Sequence, residues 1–374
     1  MRAAALSTLA AGCFLALAAA AAPAPPPAVD ARAFVVEDGR GEILAGRNDR
    51  SPEAIASITK LMTVLVALEH HALSDVVAVD PRAAAVGQES IELEPGERLS
   101  VADLVRGALI QSANDAAVAL ALSVSPDVRS FAALMNAKAA QLGLRDTHFV
   151  NPDGLDEPGA YSTADDVTTL ARAAMRVPFI RETVAEQTAA IGGGRTLHTW
   201  NDLLGVVPGV VGVKTGHTGA AGWCEVLADR VGATTLYVTV LGSPSRAVRN
   251  AALERLLSWA IGEIGTVEAV AAGRVYARVA LPYGRGSVGL AAPAGLRAFV
   301  GPRTPVVERV VAARSVALPV RRGQVLGRIE VWTQGRLVGR RPLVATRSVP
   351  APSDLGRLEW YAGRTVRDIE ELFS

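Results

Sequence analysis

The chain is poor in cysteine, with two in 374 residues. Cys13 lies in an N-terminal stretch that we expect to be removed, which leaves Cys224 alone. An exported protein with one thiol has no internal disulfide, so its packed core must hold the fold. Cys224 stands among the strand-like residues WCEVL, where we predict a small buried side chain.

Aromatic residues and net charge are also scarce. Five per cent of the residues are Phe, Trp or Tyr, and the formal net charge is +1. Neither value suits a protein that stacks bases or neutralises phosphates, so we expect no nucleic-acid partner. Half of the residues are hydrophobic and a fifth are charged, which is a globular composition with enough length for two or more domains.

Metal-binding and nucleotide-binding patterns are missing as well. The sequence has no HExxH motif and no cluster of cysteine and histidine, so we expect no metal and no cofactor. GRGSVG, at 284–289, has the glycine spacing of a dinucleotide site, but no helix is predicted after it. In GVVGVKTG, Val213 separates Gly212 from Lys214 and a strand follows, so this is not a phosphate-binding loop.

An apolar run stands at the N terminus, in MRAAALSTLAAGCFLALAAAAAPAPPP. Arg2 precedes the run and small residues that suit cleavage follow it, so we predict a signal peptide over residues 1–24. The run is too short and too rich in alanine for a membrane span. A lipid-attachment site at Cys13 is the alternative, but too little apolar sequence precedes it.

Residues 28–265 combine strand and helix patterns. A hairpin with a turn at Asp38-Gly39 comes first, helices fill the middle, and strands over 205–242 precede a last helix. The segment 57–71 is apolar nearly all round, which predicts a central buried helix. The order of these patterns predicts an α+β fold, in which an antiparallel sheet is packed with helices.

The remainder of the chain differs in composition. Residues 266–350 hold short β-rich runs with 14 arginines, no lysine and three glutamates, and they predict a small basic β domain. Residues 351–374 carry three arginines against five acidic residues, with apolar side chains on one helical stripe. This pattern predicts an amphipathic tail helix, which either docks on its own protein or contacts a membrane.

IASITKLMT, residues 55–63, places Ser57 and Lys60 three apart at the start of the buried helix. This spacing puts both side chains on one helix face. A cation is disfavoured at the positive end of the helix dipole, so Lys60 is poorly placed as a surface ion-pair residue. Dipole, burial and a second cation would lower the Lys60 pKa and suit a general base for a Ser57 nucleophile. The alternative is a helix-capping serine beside a solvated lysine.

Ser112 and Asn114 lie in a short break between two predicted helices, in QSANDAA. Residues two apart in such a turn can both face a cleft. There the hydroxyl could relay a proton to a leaving amine, and the amide could hold a peptide group. Taken alone, the segment is more typical of an N-cap with an Asx turn.

VGVKTGHTG predicts an edge strand of the sheet. Lys214 could supply the second cation and meet a substrate carboxylate, to which Thr215 could hydrogen-bond. Gly216 would let a substrate backbone approach closely. The backbone N–H groups of His217 and Ser57 would form an oxyanion hole.

The stretches SITK, SAN and KTG, in this order, form the motif set of β-lactamases and penicillin-binding proteins. Together with LIQSANDAA, HFVNPDGLD, YSTADD and GVKTGHTGAAGW, they make the sequence resemble low-molecular-mass penicillin-binding proteins. These are serine-type D-Ala-D-Ala carboxypeptidases of the type-5 class, in peptidase family S11. The resemblance covers residues 30–262 well, and it implies a β-lactamase/transpeptidase-like α+β fold.

The resemblance implies that Ser57 is acylated by the penultimate D-alanine of peptidoglycan pentapeptide stems, and by β-lactam antibiotics as covalent inhibitors. The residues implied for catalysis are Ser57, Lys60 and Ser112, and those implied for substrate binding are Asn114, Lys214, Thr215, Gly216 and His217. Ala113 stands where the family often has glycine between the second-motif Ser and Asn, a change that bears on the width of the cleft.

The family layout also implies export to the periplasm and peripheral contact with the outer face of the cytoplasmic membrane through the C-terminal helix. The acidic tail would be repelled by anionic lipid. The contact would therefore rest on apolar area, with the basic β domain adding attraction.

Two other functions stay open at this point. A class A-like β-lactamase needs a glutamate that activates water. The glutamates between residues 115 and 213 are Glu157, Glu182 and Glu186, and none is closely followed by asparagine. A non-hydrolytic wall-binding or scaffold protein would not need the three motifs intact.

Overall fold

The computed structural model describes residues 25–232, 234–263, 265–300, 306–333 and 335–372. The chain divides into two compact units, Ala24–Gly262 and the residues from Glu263 onward. The predicted signal peptide, residues 1–24, lies outside the described residues. The domain bounds predicted from the sequence, 28–265, 266–350 and 351–374, stay a prediction beside these units.

The helices in the described ranges run from a four-residue turn to a long C-terminal segment. They are α1 (Lys60–His70), α2 (Pro81–Ala84), α3 (Val101–Leu109), α4 (Asn114–Val124), α5 (Val128–Leu142), α6 (Ala164–Ala174), α7 (Pro178–Thr183), α8 (Arg246–Glu263) and α9 (Asp354–Leu372). Two short 3-10 turns span Ala56–Thr59 and Gly192–Gly194.

The strands in the same ranges belong to five sheets. In the first unit they are β1 (Ala33–Asp38), β2 (Ile43–Arg47), β3 (Val76–Ala78), β4 (Arg98–Ser100), β5 (Thr188–Ile191), β6 (Arg195–His198), β7 (Val210–Thr218), β8 (Gly222–Val231) and β9 (Thr234–Ser243). In the second unit they are β10 (Gly265–Val270), β11 (Val275–Ala280), β12 (Ser287–Ala291), β13 (Leu296–Val300), β14 (Val306–Ala312), β15 (Val325–Thr333) and β16 (Arg336–Ala345).

The first unit is built on a five-stranded antiparallel sheet with the order β2-β1-β9-β8-β7. The hairpin of β1 and β2 turns after Asp38, as predicted. Early and late strands of the unit meet where β1 pairs with β9. β7, which carries the KTG stretch, lies at the sheet edge, and this confirms the predicted edge strand.

Helix α1 lies at the centre of the first unit. It contacts α3, α4, α5 and α6, and residues from Lys60 to Ala67 are all buried. Such surroundings explain why segment 57–71 is apolar on nearly every side. The structure differs from the predicted single helix at its start, because a 3-10 turn over Ala56–Thr59 precedes the α-helical part.

Two helix starts are capped by hydroxyl side chains. Ser100 Oγ accepts a hydrogen bond from the Asp103 N–H at 3.1 Å at the start of α3. Thr163 Oγ1 does the same for the Asp166 N–H at 3.1 Å at the start of α6. Each side chain satisfies a backbone donor that the helix leaves free, and this fixes where the helix begins.

Cys224 is fully buried on β8, as predicted for a small apolar side chain. Burial raises the pKa of its thiol to about 11. A thiol with this pKa stays protonated at neutral pH and is a poor nucleophile.

The second unit has a five-stranded antiparallel sheet, in the order β11-β12-β16-β15-β14, and a separate β10-β13 pair. Its core contains fully buried side chains such as Val279, Leu290, Ile329 and Leu343. Together with the helix-packed sheet of the first unit, this confirms the predicted α+β class with a C-terminal β domain.

The tail forms one long helix, α9, as the apolar stripe predicts. The Trp360 ring meets the Tyr283 ring edge-on, with centroids 5.6 Å apart. Leu355 and Leu358 are 69% and 68% exposed. Helix α9 therefore contacts its own unit through an aromatic ring while nearby leucines stay open to solvent.

No single helix of the described ranges has the length and hydropathy of a membrane crossing. Among the described residues, α4 and α5 taken together reach that length and composition, and they are bent by 87° at their junction.

Candidate active site

Ser57 lies within the 3-10 turn before α1 and is not a helix cap. The N-cap residues of the two helical segments are Ile55 and Thr59, and neither makes a side-chain cap hydrogen bond. Ala56 has φ of 49°, a left-handed conformation that is uncommon for a residue with a Cβ atom. Such strain is typical of functional sites, and Ser57 lines a cleft of about 260 Å³.

Lys60 is fully buried, and its Nζ atom has three oxygen partners. Nζ lies 2.7 Å from each of Ser57 Oγ, Asn114 Oδ1 and the Asp153 carbonyl oxygen. The amide and carbonyl oxygens can only accept hydrogen bonds, whereas a serine hydroxyl can also donate. A neutral amine has two N–H donors and one lone pair. The neutral amine fits these three partners when its N–H groups donate to Asn114 Oδ1 and the Asp153 carbonyl oxygen and its lone pair accepts from the Ser57 hydroxyl.

Burial lowers the pKa of Lys60 from its ordinary 10.5 to about 7. The carboxylates of Asp153, Glu89 and Asp115 act in the opposite direction, but desolvation is the larger effect. Near pH 7, roughly half of the molecules therefore hold Lys60 as the free amine.

The sequence predicts Lys214 as a second cation that lowers the pKa of Lys60, but burial is the cause that lowers that pKa. Burial first, and then the charge of Lys60, lower the pKa of Lys214 well below its ordinary value. Lys214 Nζ donates to Ser112 Oγ at 2.9 Å and to the Thr215 carbonyl oxygen at 2.9 Å. The second and third motifs thus meet in a direct contact.

Ser112 differs from the N-cap that its local sequence favours. Helix α4 begins at Asn114, its N-cap is Ala113, and no side chain caps it. Ser112 itself has φ of 64° and is 5% exposed. The Ser112 hydroxyl therefore accepts a hydrogen bond from Lys214 and does not cap the helix, and Ser112 lines the cleft.

Asn114 connects Lys60 to the loop that borders the cleft. Its Oδ1 accepts from Lys60, its Nδ2 donates to the Gly87 carbonyl oxygen at 3.1 Å, and its backbone N–H donates to the Glu89 carbonyl oxygen at 2.7 Å. The predicted role of Asn114, which is to hold a peptide group of the substrate, stays a prediction.

Asp115 was not singled out in the sequence, yet it anchors the same loop. Its buried carboxylate accepts hydrogen bonds from the backbone N–H groups of Ile91, Leu93 and Ala116. The sequence signal that could have identified Asp115 is its position directly after the motif residue Asn114. A carboxylate buried at that position needs several hydrogen-bond donors, and here the loop supplies them.

The carbonyl group that meets Lys60 comes from NPDG, residues 151–154. Asn151 Oδ1 accepts from the Gly154 N–H at 2.8 Å, which closes this turn. Thr63 Oγ1 donates to the Pro152 carbonyl oxygen at 2.6 Å and ties the turn to α1. Asn, Pro, Asp and Gly are turn-forming residues, so the sequence indicated a turn here but not its contact with the lysine.

Two glycines, Gly154 and Gly216, allow the backbones of the NPDG turn and β7 to approach the 3-10 turn Ala56–Thr59, called here the nucleophile turn. A Cβ atom on Gly154 would lie 2.0 Å from the Ala56 carbonyl oxygen, and φ there is 83°. A Cβ atom on Gly216 would lie 2.7 Å from the Ile55 carbonyl oxygen and 3.2 Å from the Ser57 nitrogen. No side chain fits at either position without displacing the turn that holds Ser57.

The far wall of the cleft contains residues that sequence reasoning missed. Arg246 lies over the Trp200 ring at 5.1 Å, and Arg249 lies over the Trp223 ring at 5.9 Å. His217 stacks on Trp223 with ring centroids 4.1 Å apart. The two arginines are three apart in the first turn of α8, so they share a helix face, but nothing in the sequence indicates that this face meets the cleft.

The structure brings the three motifs to one place. The predicted site residues that line the cleft are Ser57, Ser112, Thr215, Gly216 and His217. Lys60, Asn114 and Lys214 are buried beside them. A larger cavity, of about 390 Å³, is lined by Ile55, Ala56 and the loop 148–161. It contains none of the predicted catalytic side chains, whereas the smaller cleft is lined by Ser57 and Ser112.

In the described ranges, no three His, Cys, Asp or Glu side chains are grouped in a way that could hold a metal ion. The chemistry at hand is a hydroxyl beside an amine of lowered pKa, with cations and backbone N–H groups near it. This arrangement suits acyl transfer through serine.

Comparison with known proteins gives one consistent answer. The family model of D-alanyl-D-alanine carboxypeptidases matches residues 19–245. The D-alanyl-D-alanine carboxypeptidase DacD of Salmonella typhimurium is 32% identical over 354 residues, which cover 90% of each chain. DacF of Bacillus subtilis is 30% identical over 326 residues, 84% of each chain. The solved structure of penicillin binding protein 5 from Haemophilus influenzae matches with a TM-score of 0.64 and 28% identity, covering 88% of this chain and 100% of that one.

Proposed function

The chain belongs to the D-alanyl-D-alanine carboxypeptidase family, peptidase family S11, and from this we propose how its own residues perform the reaction. It is a serine-type carboxypeptidase that removes the terminal D-alanine from peptidoglycan stem peptides through an acyl-enzyme. The observation that carries the proposal is the 2.7 Å contact between Lys60 Nζ and Ser57 Oγ.

The first step is acylation of Ser57. Its Oγ atom attacks the carbonyl carbon of the penultimate D-alanine while the free amine of Lys60 takes the hydroxyl proton. Negative charge develops on the carbonyl oxygen, where the backbone N–H groups of Ser57 and His217 stabilise it. The close approach of β7 at Gly216 to the Ser57 nitrogen supports this pairing.

The second step is departure of D-alanine. The peptide C–N bond breaks as the leaving nitrogen takes up the proton that Lys60 received from Ser57, which leaves Lys60 as the free amine again. Ser112, whose Oγ lies 2.9 Å from Lys214 Nζ, relays this proton. The carbonyl carbon stays bound to Ser57 as an ester. Water then attacks the ester with Lys60 as base, and Ser57 Oγ regains its proton as the shortened peptide leaves.

Substrate position is set by the edge strand. The terminal carboxylate binds Lys214 and the Thr215 hydroxyl, and Gly216 leaves room for the peptide backbone along β7. Asn114 completes the site by fixing Lys60 on one side and the loop at Gly87 on the other. A β-lactam presents a similar carbonyl and carboxylate, so it acylates Ser57 in the same way.

The three glutamates considered for a class A-like β-lactamase lie away from the Ser57 cleft. The glutamates Glu157, Glu182 and Glu186 are absent from the lining of the Ser57 cleft among the described residues. Glu157 instead accepts a hydrogen bond from Asn151 at 3.1 Å and lines the other cavity. None of the three is therefore placed to activate water against the ester.

We also propose export to the periplasm, directed by residues 1–24, and peripheral contact with the membrane through α9. Exposed Leu355, Leu358 and Tyr361 support the contact, because such side chains gain free energy when an interface covers them. We propose the domain division 28–265 for the peptidase, 266–350 for the β domain and 351–374 for the anchor.

One experiment tests the catalytic proposal. Purified protein is incubated with labelled penicillin and, separately, with a diacyl-D-Ala-D-Ala peptide. Lasting label on Ser57 and release of free D-alanine are expected, and Ser57→Ala should remove both. Rapid hydrolysis of penicillin would favour the β-lactamase. Absence of label, or label that survives in Ser57→Ala, would contradict acylation and favour a wall-binding protein.

A further inference from the structure

Glu225 is a buried acid on the strand next to the substrate-binding strand. It lies on β8 in register with Thr215 on β7, and it is fully buried. Neither carboxylate oxygen makes an aligned hydrogen bond with the described residues. Oε2 nevertheless lies 3.1 Å from Nε of Arg249, which is 1% exposed. The two charges thus form an ion pair without the hydrogen bonds that would make it a strong source of stability.

Such a pair is a weak explanation for stability. Taking two charges out of water costs free energy, and apolar side chains of similar volume often replace buried pairs without loss of stability. The flanking residues of β8, Val226 and Leu227, are fully buried and apolar. A buried acid among them therefore indicates a role in the cleft that Arg249 borders.

Arg249 is fixed along one edge of its guanidinium group. Nε and Nη2 donate to Asn250 Oδ1 at 3.0 and 2.6 Å, and Nη2 also donates to Asp202 Oδ2 at 3.3 Å. Nη1 makes no hydrogen bond with any residue in the described ranges. Since Arg249 borders the cleft with Ser57, Nη1 is the nitrogen that remains for a ligand.

The charges around Glu225 come from three elements. Arg249 and Arg246 on α8 and Lys214 on β7 are the cations, and Asp202, in the loop before β7, is the neighbouring acid. The positive charge of Arg249 lowers the pKa of Lys214. The negative charge of Glu225 offsets this effect, because it favours the protonated form of Lys214.

We propose that Glu225 is a positioning residue, whose buried charge holds Arg249 and keeps Lys214 cationic so that both are ready for the carboxylate of the substrate or β-lactam. The role rests on the proposed function, since it presumes acylation of Ser57. It predicts an effect on ligands that carry the carboxylate and none on ligands that lack it.

The test compares Glu225→Gln with the unchanged protein, using benzylpenicillin and its methyl ester. The second-order rate of Ser57 acylation is followed by mass spectrometry at high protein concentration. Loss of a charge-assisted contact predicts a fall of roughly tenfold to a hundredfold for the acid, with no change for the ester. An equal fall for both ligands, or no fall for either, would overturn the proposal.

A pH series gives a second readout that a merely structural role would not change. Burial raises the pKa of Glu225 to about 7. Its negative charge is therefore present above pH 7 and absent well below it. The rate ratio of the unchanged protein to Glu225→Gln should grow as pH rises through 7. The effect of Lys60 titration on the rate is common to both proteins and cancels in the ratio. A rate ratio that does not change with pH would contradict the proposal.

The control variant is Asp229→Asn. Asp229 is also a buried acid of β8, and burial raises its pKa, but among the described residues it makes no ion pair with Arg249 or Lys214. This variant should keep the preference for the acid over the ester. If Glu225→Gln does not fold, Glu225→Asp keeps the charge but shortens its reach and should show a smaller loss of the same preference. Failure of the unchanged protein to become acylated would contradict the proposed function instead.

Discussion

At the residue scale, Lys60 combines burial with a short contact to the nucleophile. Its pKa of about 7 means that the fraction of free amine changes over the neutral range. In the proposed mechanism only the free amine can accept the Ser57 proton, so the burial of Lys60 would set the pH dependence of acylation.

We predict that the rate of Ser57 acylation rises with pH through about 7 and levels off above pH 8. The rise follows from loss of the Lys60 proton as pH passes its lowered pKa. The measurement is the rate of labelling by penicillin from pH 5.5 to pH 9. In Lys60→Arg the guanidinium stays protonated, so the rate should fall by about a thousandfold and lose its rise. A rate that falls with pH in the unchanged protein would contradict this assignment.

Glu37 gives a residue-scale prediction for stability. It is 1% exposed on β1, 3.6 Å from Arg172 Nε, and burial raises its pKa to about 7. Between pH 4.5 and 7 the folded chain therefore holds a proton that the unfolded chain releases. The free energy of unfolding should fall as pH rises through this window.

Glu37→Gln should remove that fall and be more stable than the unchanged protein at pH 8 by roughly 1–3 kcal/mol. Urea unfolding at pH 5 and pH 8 measures it. Glu97→Gln is the control of opposite sign, since a hydrogen bond from Arg195 lowers the pKa of Glu97. That variant should be less stable at pH 8. Equal stability of Glu37→Gln and the unchanged protein at both pH values would contradict the prediction.

At the element scale, the NPDG turn and the nucleophile turn are packed backbone against backbone. Gly154 makes this possible, because a side chain there would meet the Ala56 carbonyl oxygen at 2.0 Å. The turn also supplies the Asp153 carbonyl oxygen to Lys60. A shift of this loop would therefore change both the position of Ser57 and the environment of its base.

We predict that Gly154→Ala slows acylation of Ser57 by at least about tenfold, because a displacement near 1 Å at a reacting group is costly. Gly143→Ala is the matched control. Gly143 has φ of 77°, close to the 83° of Gly154, but a Cβ atom there meets nothing within 4 Å. Both variants bear the same backbone strain, of about 1 kcal/mol, so a difference in penicillin labelling reports the contact alone. Equal labelling rates would show that the contact does not matter.

The elements differ in how far their sequences determine them. Helix α1 and the edge strand β7 follow from apolar periodicity and glycine turns, and both have the expected neighbours. The capping serine that was the alternative interpretation of Ser57 is not found, because a 3-10 turn precedes α1 and the N-cap positions belong to Ile55 and Thr59. Ser112 shows the same limit, since Lys214, a hundred residues away in the sequence, takes its hydroxyl. Local sequence patterns do not predict hydrogen bonds between residues that are far apart in the chain.

At the scale of the whole molecule, the chain joins a unit with a catalytic cleft to a basic β unit with an acidic tail. The far wall of the cleft illustrates what only the fold can supply. Arg249, Asp202 and Glu225 come from a helix, a loop and a strand, and they meet because the sheet brings β8 beside α8. No sequence spacing relates them.

The tail gives the prediction at this scale. Leu355 and Leu358 are largely exposed on α9. Replacing both with aspartate should reduce binding to lipid vesicles by at least about tenfold, because apolar contact is lost and charge is added. Co-sedimentation with neutral and with anionic vesicles measures this. Deletion of residues 351–374 should have the same effect.

Glu359→Gln is the control for the tail, since it removes an acidic charge and leaves the leucines in place. It should bind anionic vesicles at least as well as the unchanged protein. Carboxypeptidase activity on a soluble peptide should be unaffected in all three variants. If the double leucine variant sediments with vesicles as the unchanged protein does, α9 is not the anchor.

The burial of two lysines has a practical consequence for labelling. The chain has three lysines, and two of them, Lys60 and Lys214, are buried beside the cleft. An amine-reactive dye therefore has one accessible lysine, Lys138 on α5, which forms an ion pair with Glu69. Glu69 is at the far end of α1 from the nucleophile, a separation of about 15 Å along the helix. A fluorophore or surface tether placed on Lys138 would leave the cleft open, so this lysine is a suitable attachment point for a β-lactam sensor.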